Sequence, residues 1–240
     1  MNQPLHNRTI ILAGGSGGLG SHAAQTLAAE GARLVVSYRA NAERAQALSS
    51  IATLVQADLT LAADRARLLD AAPALYGLAV FSGNPARVAS PGELDAALRL
   101  SHEANCLGPL LLAREAATRM KDAGVPGSIV LFSTMQALAL FPGSTAYATA
   151  KAALIHGAQL LAKELRGPSN IRVNVIAPGV TQAGMAEASI AAGKYKRYLD
   201  EGIIPRYGHA EDITRAVRFF LEPDNFITGQ VLAVDGGLTL

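Results

Sequence analysis

Two hydrophobic textures alternate along the chain. Short β-branched runs, apolar at consecutive positions, are separated by longer Ala- and Leu-rich stretches with helical spacing. The short runs predict strands at TIILAG from Thr9, RLVVSY from Arg33, TLVQAD from Thr53 and GLAVFSG from Gly77. Three more follow at SIVLFST from Ser128, IRVNVIAPG from Ile171 and QVLAVDGG from Gln230. The longer stretches predict helices over 18–30, 42–48, 62–72, 91–123, 144–166 and 211–221. Strands that are apolar on both faces need a sheet covered on both sides, which means a parallel sheet with helical crossovers. Right-handed crossovers then give a doubly wound, Rossmann-like α/β fold of about seven strands.

The chain has 240 residues and shows neither a Pro/Gly/Ser-rich linker nor an internal repeat, so one domain over 1–240 is expected. The stretch 184–202 breaks the rhythm. It follows a Pro-Gly and carries Tyr195 and Tyr198. It reads either as a mobile lid over a site or as an ordinary surface insertion.

Composition narrows the class. Half of the residues are apolar and 17% are charged, which suits a folded core and not disorder. The net charge of +2 comes without blocks of like charge, so nucleic acid is not an expected partner. Cys106 is the only cysteine, which excludes an intrachain disulfide and a thiolate metal cluster and fits a reducing compartment. The opening M-N-Q-P-L-H-N-R-T-I lacks an apolar signal-peptide region, and the run SIVLFSTMQALALFPG is interrupted by Ser133, Thr134 and Gln136. No membrane partner is expected, and the expected location is cytoplasmic. The five histidines are scattered without an i,i+4 pair, so no catalytic metal is expected.

The first strand runs into A-G-G-S-G-G-L-G, Ala13 to Gly20, where a helix should begin. Glycine lets a ligand reach the backbone, and a helix N-terminus offers unpaired N–H groups to a phosphate. The loop fits several patterns. Gly15, Gly17 and Gly20 match a dinucleotide fingerprint, and Gly14, Gly18 and Gly20 match a GxxxGxG spacing, with Ser16 and Leu19 between them. Gly14, Ser16 and Gly18 also match a hydrolase nucleophile elbow, and a purely structural turn stays open.

The second strand ends in Tyr38 and Arg39, where an NAD-binding fold places a carboxylate for the ribose 2′-hydroxyl. An arginine fork suits a 2′-phosphate, which favours NADP(H), against a solvated surface arginine. Asp58, followed by Leu59 after the third strand, either accepts from an adenine amino group or caps the next helix together with Thr60.

Tyr147 and Lys151, in Y-A-T-A-K, share a helix face. A nearby ammonium should lower the tyrosine pKa, and a tuned phenol can protonate a carbonyl oxygen as hydride arrives. Alone the pair is equally two residues of an amphipathic helix.

With the glycine loop upstream and V-D-G-G downstream, the chain resembles the short-chain dehydrogenase/reductase family, of the kind typified by 3-oxoacyl-acyl-carrier-protein reductases, over essentially its whole length. The resemblance implies a hydride-transferring oxidoreductase acting on a carbonyl/alcohol pair. Tyr147 would be the acid/base, and Lys151 would bond the nicotinamide ribose. Asn105 would hold a relay water. Pro178, Gly179 and Val180 would meet the nicotinamide, and Ser82 and Gly83 the adenosine side. The resemblance also implies a dimer or tetramer formed through the helices carrying Asn105 and Tyr147 and the last strand.

Several positions depart from the family pattern. The family serine, thirteen residues before the tyrosine, is Thr134 here, with Ser133 expected on the opposite face. Ala13 replaces a structural threonine. Phe81-Ser82-Gly83-Asn84 stands for Asn-Asn-Ala-Gly, with Asn84 expected to take the left-handed turn position. Ala183 stands for a carboxamide-binding threonine, with Thr181 nearby. These departures motivate a rival reading, a non-catalytic NADP-binding sensor on the same fold. A serine hydrolase centred on Ser16 is the other rival.

Overall fold

In a computed structural model, which describes residues 3–88 and 90–240, all seven expected strands form. They are β1 (Thr9–Ala13), β2 (Arg33–Tyr38), β3 (Ala52–Gln56), β4 (Leu75–Val80), β5 (Gly127–Phe132), β6 (Ile171–Pro178) and β7 (Val231–Val234). Every pairing is parallel, and the order is β3-β2-β1-β4-β5-β6-β7. The order reverses between β1 and β4. That is the switch point at which ligands bind in doubly wound folds, beyond the strands' C-terminal ends.

Nine α-helices follow among the described residues. They are α1 (Gly18–Ala29), α2 (Ala42–Gln46), α3 (Ala62–Asp70), α4 (Leu94–His102), α5 (Gly108–Asp122), α6 (Thr145–Glu164), α7 (Glu187–Ala191), α8 (Lys196–Asp200) and α9 (Ala210–Leu221). The strand alternation sorts the core into two layers. Ile11 and Ala13 face one side with Leu112 and Leu154 of α5 and α6. Ile10 and Leu12 face the other with Leu27 and Val217 of α1 and α9. Among the described residues no helix is long and apolar enough to cross a membrane.

The single helix expected over 91–123 is divided. A 3₁₀ turn (Pro91–Glu93) leads into α4, and a π turn (Glu103–Leu107) separates α4 from α5. Pro109 supplies the reason. It has no N–H for the carbonyl four residues back, which belongs to Asn105, and its ring crowds that turn. The helix widens, and the Gly108 N–H reaches back to the Glu103 carbonyl.

The stretch 184–202 folds as a 3₁₀ turn (Gly184–Ala186) followed by α7 and α8. Tyr198 and Ile204 are buried in a small satellite cluster with Met135 and Val180, which fastens the segment over the ends of β5 and β6. At the opposite, N-terminal end of the strands, buried Arg172 of β6 donates to the Phe220 and Glu222 carbonyls at the end of α9. Ser128 and Tyr76 donate there as well. Four donors from the sheet thus satisfy carbonyls that a helix end leaves unpaired.

Candidate active site

The glycine loop is a turn between β1 and α1. Gly14 has φ +70°, and a side chain there would strike Ser82, so the loop lies directly against the turn after β4. The Gly14 N–H donates to the Ser37 hydroxyl at 2.9 Å. Sequence reading missed Ser37. It ties the loop down from β2, while buried Ala13 fills the position of the lost threonine. The α1 terminus at Gly17 has no side-chain cap and no acidic residue in its first turn. Gly18 and Leu19 open the helix, and Gly20 is buried against the Gly15 backbone. Together these features leave an uncapped, positively polarised helix end that suits a phosphate. Buried Ser16 has no histidine or carboxylate partner among the described residues, so a nucleophile elbow lacks its base.

Tyr38 and Arg39 lie at the end of β2. Tyr38 is half-buried, whereas Arg39 is exposed and pairs with no carboxylate among the described residues. The guanidinium is thus open to an anion such as a phosphate.

The Asp58 carboxylate accepts from the Thr60 N–H at 3.0 Å and the Thr60 hydroxyl at 2.8 Å. This closes an Asx turn. The N-cap of α3 is Leu61, so neither Asp58 nor Thr60 caps that helix, because the turn has already claimed both. Leu59 is buried, and its carbonyl accepts from Arg65.

The remaining site residues other than Asn105 meet in one cavity of about 570 Å³ beyond the ends of β4, β5 and β6. Leu19, Ser82, Gly83, Pro178, Gly179 and Val180 line it, and so do Thr134, Tyr147 and Lys151. A side chain at Gly179 would strike the Asp235 backbone, so packing against the V-D-G-G turn already requires that glycine.

Asn105 lies in the π turn and is fully buried. Its side chain accepts from the Asn84 N–H at 2.7 Å and donates to the Asn84 carbonyl and the Ser101 hydroxyl, each at 2.9 Å. It therefore clamps the turn after β4. Pro109, four residues on, has no N–H to give the Asn105 carbonyl its ordinary helical bond. Asn84 does not take the left-handed position. Ala86 does, at φ +46°, and Asn84 instead accepts from the Ala86 N–H. Two hydrogen bonds to Asn105 hold the Asn84 backbone and move the strained residue two positions on.

Ser133 donates to the Lys151 carbonyl. Thr134 accepts from the Gln136 N–H at 3.3 Å, and its own hydroxyl proton has no acceptor among the described residues. The Tyr147 hydroxyl is likewise unpartnered there. Two uncommitted donors thus face one cavity. Thr181, near the Ala183 position, donates to the Gly179 carbonyl at 3.2 Å.

The expected lowering of the Tyr147 pKa by Lys151 is not what this geometry produces. Burial pushes the phenol up to about 12, with a smaller push from Tyr195. The Lys151 ammonium donates to the Phe132 carbonyl at 2.7 Å, and burial lowers its pKa to about 8, partly opposed by Cys106. Burial disfavours the charged form of each group, and neither group is a cause of the other's shift. Tyr147 is accordingly a neutral phenol at physiological pH, in the state needed to donate.

A nicotinamide nucleotide fits this ensemble. The uncapped helix end and Gly14 form a cradle for its diphosphate, Arg39 stands free at the edge, and the cavity is of ligand size.

Known proteins resemble this chain in sequence and fold. A family model described as enoyl-(acyl carrier protein) reductase matches residues 13–239. An NADPH-dependent aldehyde reductase-like protein, chloroplastic, of Arabidopsis thaliana is 30% identical over 258 residues, covering 98% of this chain and 95% of its own. 2-(S)-hydroxypropyl-CoM dehydrogenase 3 of Xanthobacter autotrophicus is 31% identical over 255 residues, covering 100% of this chain and 99% of its own. A solved short-chain type dehydrogenase/reductase from Mycobacterium ulcerans superposes with a TM-score of 0.90 at 29% identity, covering 98% of this chain and 90% of that one.

Proposed function

The chain belongs to the short-chain dehydrogenase/reductase family, and from that premise we propose that this oxidoreductase is an NADP(H)-dependent carbonyl reductase or alcohol dehydrogenase with Tyr147 as its general acid/base. The observation that carries the reading is the pair of uncommitted hydroxyls, Thr134 and Tyr147, facing one cavity with buried Lys151 at its floor. A bound nicotinamide nucleotide supplies or removes the hydride at the substrate carbon. Thr134 donates a hydrogen bond that orients the carbonyl. Tyr147 passes its phenolic proton to the carbonyl oxygen, giving the alcohol, and takes it back in the reverse direction. Lys151 would hold the ribose of the bound nucleotide, and its charged form favours the phenolate left behind. A water on the Asn105 carbonyl would return the proton through Lys151.

The NADP(H) preference is supported by the free Arg39 guanidinium and by the NADPH named for the Arabidopsis relative. Gly14, Ser16, Gly18, Leu19 and Gly20 would take the diphosphate, and Tyr38, Arg39, Asp58, Leu59, Ser82 and Gly83 the adenosine half. Pro178, Gly179 and Val180 would border the nicotinamide. Exposed Leu100, Leu111 and Leu160, on α4, α5 and α6, support a homo-oligomer formed through these helices.

The test is Tyr147→Phe on a panel of aldehydes and ketones. Turnover should fall by about two to four orders of magnitude, the usual worth of a general acid, while fluorescence titration shows unchanged NADPH binding tighter than NADH binding. A variant that keeps near-wild-type turnover removes Tyr147 from the mechanism.

A further inference from the structure

The walls of the cavity are electrostatically one-sided. Arg87, Lys151, Lys194 and Arg197 line it, and no Asp or Glu does. The whole chain, by contrast, nearly balances 21 basic residues against 19 acidic ones. Lys151 lies at the floor, committed to the Phe132 carbonyl. The other three stand at the mouth and are exposed.

Two of the three are arranged on aromatic rings. Tyr195 and Tyr198 of the 184–202 segment stack with centroids 6.3 Å apart and an interplanar angle of 17°. The Lys194 ammonium lies over the Tyr195 ring at 5.5 Å, and the Arg197 guanidinium over the Tyr198 ring at 4.9 Å. Arg197 also donates to the Tyr198 hydroxyl at 3.1 Å, and Glu201, which does not line the cavity, acts on it electrostatically. Lys194 and Arg87 have no carboxylate partner among the described residues. Ring contacts of this kind orient a cation without neutralising it. The buried Tyr198 and its cluster fix the platform.

Resting on the reductase reading of the same site, we propose that the substrate is a carbonyl or alcohol compound carrying an anionic group, a carboxylate or a phosphate. Lys194 and Arg197 bind that group from the 184–202 segment, and Arg87 binds it from the segment that follows β4. The reacting carbonyl then lies inward at Thr134 and Tyr147. An uncompensated positive mouth also concentrates anions ahead of binding, an effect that salt weakens.

Two matched probe pairs test this and separate the two anion sources. The carboxylate pair is 4-oxopentanoate against its methyl ester. The phosphate pair is acetoacetyl-coenzyme A against the acetoacetyl thioester of N-acetylcysteamine. With wild-type protein, kcat/KM should favour the anion in at least one pair by tenfold or more. In the double variant Lys194→Gln/Arg87→Gln that ratio should fall about tenfold, mostly through KM, as expected for two charge-assisted contacts at a solvent-facing site. Both residues are exposed, so the fold is not at stake, and the Kd for NADPH should stay within twofold.

Binding of the same probes to Tyr147→Phe with NADPH present gives a readout that needs no turnover. Anion preference there without turnover by the wild type supports the anion site and refutes only the reductase reading. A ratio near one in both pairs, a ratio unmoved in the double variant, a loss that tracks NADPH affinity, or no anionic probe bound by Tyr147→Phe each overturns the proposal.

Discussion

Lys151 has its ammonium almost entirely out of water and, among the described residues, a single hydrogen-bond partner, the Phe132 carbonyl. Its pKa of about 8 in the fold lies below the 10.5 it has when solvated. Between those values the unfolded chain binds a proton that the folded chain does not, so stability rises with pH across that window. Below pH 8 the full burial cost is present. Comparing wild type with Lys151→Met by chemical denaturation isolates this contribution. From pH 7.5 to 9.5 the wild type should gain about 2 kcal/mol relative to the variant, and a pH-independent difference would contradict the lowered pKa. The sequence named both members of the Tyr147–Lys151 pair but not the sign of their environment. A pair spacing says nothing about what covers the helix face, and the cover decided it.

Elements placed those residues by local rules and by one close approach. The uncapped start of α1 needs only a strand, a glycine turn and an Ala-rich helix, all readable from the chain. Its closeness to Gly184 is not readable, since the two are far apart in sequence. A side chain built at Gly18 would lie 2.6 Å from the Gly184 N atom. Gly18→Ala therefore wedges the 184–202 segment away from the helix end. Alanine is also the better helix former by about 1 kcal/mol, so the thermal midpoint should hardly move. The KM for NADPH should rise tenfold or more, and an unchanged KM would show that this contact does not shape the nucleotide site. The π turn is similar. Pro109 was in plain view inside the expected 91–123 helix, yet its consequence, an Asn105 carbonyl without its ordinary helical donor, needed the turn around it.

Across the whole molecule, stability and chemistry sit at opposite ends of one sheet. The cavity lies beyond the C-terminal ends of β4, β5 and β6, and the Arg172 anchor of α9 lies at the N-terminal end of β6. Removing the anchor with Arg172→Met abolishes two hydrogen bonds from a buried charge, a loss of about 3 kcal/mol. Denaturant unfolding should register that loss, while kcat of the surviving folded protein should stay within twofold. A matching fall in kcat would mean that the two ends are coupled. The sequence by itself determined the strand and helix order, the doubly wound class, the glycine loop and the Tyr147–Lys151 pair, because each follows from periodicity or a short local spacing. Tertiary structure alone decided four other things. Ser37 secures the loop, Asn105 clamps the Asn84 turn, Tyr147 stays a neutral phenol, and Arg87, Lys194 and Arg197 line one cavity without carboxylates. Each of these depends on which distant segments share a low-dielectric space, and no run of neighbouring residues carries that information.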